Sequence, residues 1–410
     1  MITEACGSSR NDETKQKGDF TMFFDYYMPT KILFGKGKLN DLHKENLPGK
    51  KALIVISAGK STKENGYLAR TQEQLDKAGI AHIIFDKILP NPIKSHVLEG
   101  AALAKSEGCD FVVGLGGGSS IDSAKSIAVM ATNPGDYWDY ISGGSGLNKP
   151  LTEKPLPVVA ITTTAGTGTE ADPWTVVTKE ETNEKIGFGC ADTFPVISVV
   201  DPELMLTVPP ALTAYQGFDA LFHATEGYIN NTHNTMSDIY CEKAIELIAA
   251  NLAAAVNDGN NLDARAAVAL GNTLSGFVES TSGCTSEHSI EHALSAYYPN
   301  LTHGAGLIMI SLAYYTHFAN SGACDERMIK MAKLMGRPDA QSPMDFVNAL
   351  ADLQKACHVY DLKMSEWGLL KEEIPKYAEC ARHTMGGLFG VDPAPISDDD
   401  VIKILEESFK

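Results

Sequence analysis

The eight cysteines (Cys6, Cys109, Cys190, Cys241, Cys284, Cys324, Cys357 and Cys380) are scattered, and none pairs with another at CxxC spacing. That scatter argues against a disulfide framework or a structural zinc knuckle and for a reducing compartment. Positive charge is also short: 34 Lys and Arg face 52 Asp and Glu, for a formal net charge of -18. With no local basic stripe to offset that field, nucleic-acid binding is disfavoured. Met1–Phe20 has no apolar core for a secretion signal and reads as a disordered tail. The most apolar stretch, Gly304–Phe318, is too short to span a bilayer, so the expected location is cytoplasmic. An HExxH motif is absent, which disfavours a zinc-protease site, and no internal repeat or low-complexity tract occurs.

What is present suits an enzyme. At 410 residues and 44% hydrophobic, the chain can build two cores. Lys51–Ser57, Ala81–Phe85, Phe111–Leu115, Val158–Thr162 and Val196–Val200 read as buried strands. Gly66–Ala78, Val97–Ser106 and Ile121–Met130 read as helices among them. Such alternation predicts a parallel sheet flanked by helices. From about Thr207 the texture becomes helical; Ile245, Ile248, Leu252 and Val256 fall on one helix face. The expected division is therefore a tail over 1–20, an α/β domain over 21–206 and a helical domain over 207–410.

Two loops and a histidine set carry chemistry. Phe111-Val-Val-Gly-Leu-Gly-Gly-Gly-Ser-Ser120 runs a strand into a glycine turn and a helix start, where backbone N–H groups can meet a pyrophosphate. It fails GxGxxG, because Ser119 stands at the third glycine, and a plain tight turn is the equal alternative. Thr162-Thr-Thr-Ala-Gly-Thr-Gly-Thr-Glu170 is a hydroxyl-rich loop that reads equally as coenzyme contact or simple turn. Asp219 and His223 stand at i and i+4, as do His288 and His292, and His303 follows the Pro299 break. A carboxylate and three imidazoles can hold a divalent transition metal, although any one histidine alone is more often structural. His233, His317 and His358 have no such company and read as structural.

In order along the chain, these pieces resemble the iron-containing (group III) alcohol dehydrogenase family, butanol-dehydrogenase-like. The resemblance runs from about Asp25 to Lys410 through Pro29-Thr-Lys-Ile-Leu-Phe-Gly-Lys-Gly37, Gly116-Gly-Gly-Ser-Ser-Ile-Asp-Ser-Ala-Lys125, Thr163–Glu170, Asp219–His223 and His288–Gly304. It implies a dehydroquinate-synthase-like fold with a Rossmann-like parallel-sheet domain, a helical domain, a cleft between them and homodimeric assembly. Asp219, His223, His288 and His303 would be the metal ligands, for Fe²⁺ or alternatively Zn²⁺ or another divalent ion. Gly116, Gly117, Gly118, Ser119 and Asp122 would hold the pyrophosphate region. Thr163, Thr164 and Thr167 would line the coenzyme groove, with Asn91 and Lys185 as further contacts. His292 matches a histidine beside the metal and reads as a proton relay or as a packing residue, and Trp174 reads equally as shaping the substrate pocket or as core filling.

Two departures from the family pattern stand out. The loop before His303 is one residue longer, and Ser57 replaces an aspartate common in NAD-dependent members. Ser57, Gly59, Lys60 and Ser61 remove a carboxylate and add donors where a 2′-phosphate would sit, so NADP is favoured over NAD. The expected activity is hydride transfer between NAD(P)(H) and a small alcohol or aldehyde. Alternatives on the same fold are a glycerol-type dehydrogenase, a dehydroquinate synthase-like lyase, or a non-catalytic assembly protein.

Overall fold

Runs of β-branched and aliphatic residues become six parallel strands: β1 (Lys31–Phe34), β2 (Lys51–Ser57), β3 (Ala81–Ile88), β4 (Phe111–Gly116), β5 (Val158–Thr162) and, after a hairpin, β8 (Ile197–Val200). The structure, a computed structural model, describes residues 24–410. The expected tail over 1–20 and Cys6 lie outside the described residues; the seven described cysteines are free thiols. Strand order is β1-β8-β5-β4-β2-β3, all parallel. Side chains alternate between faces: Leu53, Val55 and Val112 pack with Phe85, Val97 and Ile127 on one side. Ala52, Ile54, Ile56 and Val113 pack with Leu39, Leu42 and Leu75 on the other. Burial on both faces accounts for the continuous apolar runs.

β3 lies outward of β2, while β4 and β5 extend from the opposite side of β2. The chain therefore reverses its direction of winding between β2 and β4. A crevice forms at the carboxyl ends there, the place where open α/β sheets bind ligands. Helices α1 (Ser61–Glu64), α2 (Tyr67–Lys77), α3 (Lys94–Glu107) and α4 (Gly118–Thr132) cover the sheet. The antiparallel hairpin β6 (Thr175–Lys179) and β7 (Glu184–Phe188) was not foreseen, and neither was β1. β1 is only four residues long and half-buried at the sheet edge, so it carries little periodic signal.

After Val200 the described residues contain helices and turns and no strand. α5 (Pro210–Ile229) opens on a proline, whose missing N–H costs nothing at a helix start. It is followed by α6 (Thr235–Asn257), α7 (Leu262–Thr281), α8 (Ser286–Tyr297), α9 (His303–Ser321), α10 (Asp325–Leu334), α11 (Met344–Ala356), α12 (Ile374–Met385) and α13 (Asp398–Ser408). One apolar core joins them, with Phe218, Phe222, Tyr315 and Phe346 fully buried. No described helix is long and apolar enough to cross a membrane.

The threonine loop is one place where the halves meet. A Cβ on Gly168 would stand 2.6 Å from the backbone of Gly276, so the threonine loop touches α7 main chain to main chain. Beside it, Glu170 Oε1 accepts from Asn272 Nδ2 at 2.9 Å and from the Thr273 hydroxyl at 2.8 Å. Its Oε2 is buried without a donor among the described residues, and burial pushes the carboxyl up to about 7. An unfolded glutamate ionises near 4.5. Folding therefore takes up a proton between those values, and the stability Glu170 contributes falls as pH rises through that window. Glu170→Gln keeps the acceptor and loses the titration. It is expected to flatten the change in urea midpoint between about pH 5 and about pH 7.5, and identical pH slopes in both proteins would count against this reading.

Candidate metal centre and coenzyme cleft

Asp219 and His223 sit one helical turn apart on α5, facing the cleft. α8 brings His288, and α9 brings His303 as its first residue. Three imidazoles converge on one carboxylate oxygen. Asp219 Oδ1 lies 3.7 Å from His223 Nε2, 3.6 Å from His288 Nε2 and 3.4 Å from His303 Nε2. The longer loop before His303 leaves this meeting intact. The close approach of α9 depends on Gly304, where a Cβ would fall 2.1 Å from the carbonyl oxygen of Tyr215 on α5.

Burial alone would raise Asp219, but the His223, His303 and His288 rings hold its carboxyl well below the usual range. Burial pushes His223 down to about 3, so its ring is neutral and able to act as a ligand near neutral pH. Asp219 Oδ1 and His288 Nε2 are buried polar atoms without hydrogen-bond partners among the described residues. Asp219, His288 and His303 also offer mutually close ligand atoms. An acceptor and a ring nitrogen left facing each other in this way are what a bound cation would satisfy. The residues fit a divalent metal.

Buried carboxylates back two of the rings, and sequence reasoning missed both. Glu226 bonds His288 Nδ1, and Glu291 bonds His303 Nδ1; both side chains are fully buried. Each can hold a proton on Nδ1, so that with a cation in the cage the Nε2 lone pair would face it. Glu226 Oε2 also accepts from the Thr285 N–H at 2.8 Å. Glu226→Gln must aim an amide NH₂ at one of these two donors. The variant is expected to bind metal about 10–100-fold more weakly, measured by competition with a chelator; unchanged affinity would deny Glu226 this role.

His292 joins the cleft wall, its ring 5.1 Å from that of His303 and its Nδ1 2.9 Å from Met385 Sδ. Burial pushes it well below its ordinary value, so it is neutral. His233 contacts Arg327, His317 packs on Phe318 and His358 meets Asn257, all apart from the cage.

The cleft, of about 240 Å³, runs from this cage to the sheet's carboxyl edge. Gly116 adopts φ +148°, and Cβ atoms on Gly117 and Gly118 would press on Thr164 and Thr167. Glycines here let the two loops pack together as well as approach a ligand. Thr163 N–H donates to the Gly116 carbonyl at 2.9 Å, and Gly118, Ser119, Asp122 and Thr167 line the cleft. Ser119 donates its hydroxyl to the Pro90 carbonyl. The Asp122 carboxylate accepts from the Thr169 hydroxyl at 2.7 Å and the Val176 N–H at 3.0 Å, tying α4 to the hairpin.

Asn91 Nδ2 donates across the cleft to the Pro299 carbonyl at 2.7 Å. Lys185 Nζ reaches Ser295 Oγ at 2.8 Å, close to Glu291. Ser57 ends β2, and Gly59, Lys60 and Ser61 are exposed beyond it, on the far side of the crevice from the glycine turn. Trp174 is 39% exposed and lines the cleft mouth, its Nε1 donating to the Glu279 carbonyl at 3.2 Å.

Known proteins resemble this chain over nearly its whole length. The chain matches the model of iron-containing alcohol dehydrogenases over residues 29–202 and that of the family's C-terminal region over 213–409. It is 33% identical over 399 residues to 1,3-propanediol dehydrogenase of Klebsiella pneumoniae, covering 94% of this chain and 99% of that protein. It is 29% identical over 393 residues to the probable NADH-dependent butanol dehydrogenase 1 of Bacillus subtilis, covering 94% and 99%. The solved structure of the archaeal halo-thermophilic Red Sea brine pool alcohol dehydrogenase ADH/D1 superposes with a TM-score of 0.90 at 35% identity, covering 95% of this chain and 100% of that one. With both halves matched and the cage and cleft in place between them, the chain belongs to the iron-containing alcohol dehydrogenase family.

Proposed function

We propose that this protein transfers hydride between a nicotinamide dinucleotide and a small alcohol or aldehyde, with Asp219, His223, His288 and His303 holding a divalent metal, Fe²⁺ foremost. The observation that carries the reading is the meeting of three Nε2 atoms on Asp219 Oδ1 at one end of the cleft. The bound ion supplies Lewis acidity toward an alcohol or carbonyl oxygen, and the coenzyme supplies the hydride acceptor or donor. The protein's own part is orientation and exclusion of water. Glu226 and Glu291 fix the rings of His288 and His303 at that end of the cleft. His292, neutral and within the cleft wall, is the proposed proton relay. Trp174 bounds the substrate end.

The coenzyme is proposed to lie along the carboxyl edge of the sheet. Gly116, Gly117, Gly118 and Ser119 would sit at its pyrophosphate, with Asp122 positioning that turn. Thr163, Thr164, Thr167, Asn91 and Lys185 would line the nicotinamide half. Ser57, Gly59, Lys60 and Ser61 would face the adenosine ribose. Ser57 sets no carboxylate against a 2′-phosphate and Lys60 is exposed beside it, which supports NADP. The Bacillus subtilis relative carries NADH in its name, which pulls the other way. The division at residue 206, a homodimer and a cytoplasmic location belong to the same proposal.

The test loads the protein separately with Fe²⁺ and Zn²⁺ and follows oxidation of NADPH and of NADH with a panel of short aldehydes including butanal. Turnover with one metal and a preference for NADPH are expected. A metal-loaded protein that reduces no aldehyde with either coenzyme would return the chain to a lyase or assembly role on this fold.

A further inference from the structure

α8 carries His288 as its third residue, so this ligand stands in a first turn whose backbone N–H groups find no carbonyl within the helix. Thr285, at the N-cap, gives that turn no side-chain cap. The missing acceptor comes from 106 residues away. Asp392, on the segment between α12 and α13, accepts from the Ser286 N–H at 3.0 Å and from the Ser286 hydroxyl at 3.0 Å. The Tyr314 hydroxyl of α9 stands 3.1 Å from the same oxygen, Oδ1, and 2.8 Å from Thr285 Oγ1. From the other side, Glu226 Oε2 takes both the N–H and the hydroxyl of Thr285, at 2.8 Å and 2.9 Å. Two carboxyl groups therefore clamp adjacent residues of one turn, and Glu226 bonds the His288 ring through its other oxygen.

The segment that bears Asp392 is itself anchored. Asn231, just past the end of α5, donates its N–H to the Val391 carbonyl at 2.9 Å and its side-chain amide to the Asp392 carbonyl at 3.0 Å. All the donors to the Asp392 side chain meet Oδ1, while Oδ2 is a buried atom with no partner among the described residues. Burial pushes this carboxyl up to about 7. The turn thus uses one acceptor oxygen, which an amide could equally supply.

We propose that Asp392 is a positioning residue for the metal centre: by holding the first turn of α8 it keeps Thr285 on Glu226, and through Glu226 it sets the ring of His288 in the cage. This rests on the reading of Asp219, His223, His288 and His303 as metal ligands and adds a residue outside that set. Ser286 is fully buried, so loss of its acceptor strands the N–H and favours fraying of the turn.

The test measures Zn²⁺ affinity by chelator competition in the whole protein, with urea midpoints alongside. Removing a partner directly behind a metal ligand typically costs 10–100-fold, and Asp392 stands one link further back, so Asp392→Ala should weaken Zn²⁺ binding about tenfold. Asp392→Asn keeps the acceptor and should stay close to the wild type. Tyr314→Phe, which keeps the Ser286 bonds and loses the link to Thr285, should fall between them. Asn261→Ala strips the side-chain cap from α7 and should lower the urea midpoint with Zn²⁺ affinity unchanged, which separates positioning from general loosening. Because Asp392 acts through Glu226, the double variant Asp392→Ala with Glu226→Gln should lose less than the product of the two single losses. Unchanged affinity in Asp392→Ala, an equal loss in Asp392→Asn or Asn261→Ala, or a full product of losses in the double variant would overturn the assignment. Should Asp392→Ala not fold, weakened Zn²⁺ in Tyr314→Phe beside wild-type affinity in Asp392→Asn supports it, and wild-type affinity in Tyr314→Phe overturns it. A wild type that binds no divalent ion would sink the cage reading, and this assignment with it.

Discussion

His303→Ala is expected to lose bound metal and turnover together. The ring supplies the Nε2 nearest Asp219 Oδ1, at 3.4 Å. Loss of a partner behind a ligand typically costs 10–100-fold in affinity, so loss of the ligand itself should cost more than about 100-fold. A second consequence follows inside the protein, because Glu291 is fully buried and its Oε2 is bonded to His303 Nδ1. Removing the ring leaves that carboxylate with Lys185 at 3.6 Å as its neighbour of opposite charge. Losing one of two partners of a buried carboxylate destabilises the fold as well. Metal analysis after reloading, steady-state rates and a thermal melt check the three effects. A variant with full metal and full activity would remove His303 from the cage.

Gly304→Ala is expected to be nearly as damaging, though it touches no chemistry. The added methyl would lie 2.1 Å from the Tyr215 carbonyl oxygen and 2.6 Å from its carbonyl carbon. Both atoms are backbone in the middle of a helix and cannot rotate away. α9 must therefore move off α5, carrying His303 from Asp219. Overpacking of this kind costs about 1–3 kcal/mol, read as a lower urea midpoint. Metal affinity should fall in the same variant while every ligand side chain remains. An unaltered midpoint and affinity would mean that α9 adjusts freely at its start.

The parallel strands were legible because burial on both faces writes itself as unbroken apolar runs; Lys51–Ser57 and Val158–Thr162 match their strands end to end. The hairpin was harder, since β6 and β7 are five residues each and mix Thr and Lys with their apolar positions. A turn signal was present, however, because Asn183 takes φ +53° in the connection, a conformation asparagine tolerates well. Asp219, His223, His288 and His303 could be named in advance because spacing and family pattern agree. Glu226 was within reach too. It lies seven residues after Asp219, on the same helical stripe. Asp392 was not, because only the fold brings it to Ser286, 106 residues away, and nothing in the local spacing records that approach.

The main-chain meeting of Gly168 with Gly276 has a mechanical consequence. With no side chain between them, the two segments have no room to come closer there. Asn91 spans the gap to Pro299 elsewhere in the cleft through one hydrogen bond. Opening the cleft for coenzyme entry or release must therefore break the bonds that span it, those of Asn91, Lys185 and Trp174 to Pro299, Ser295 and Glu279 among them.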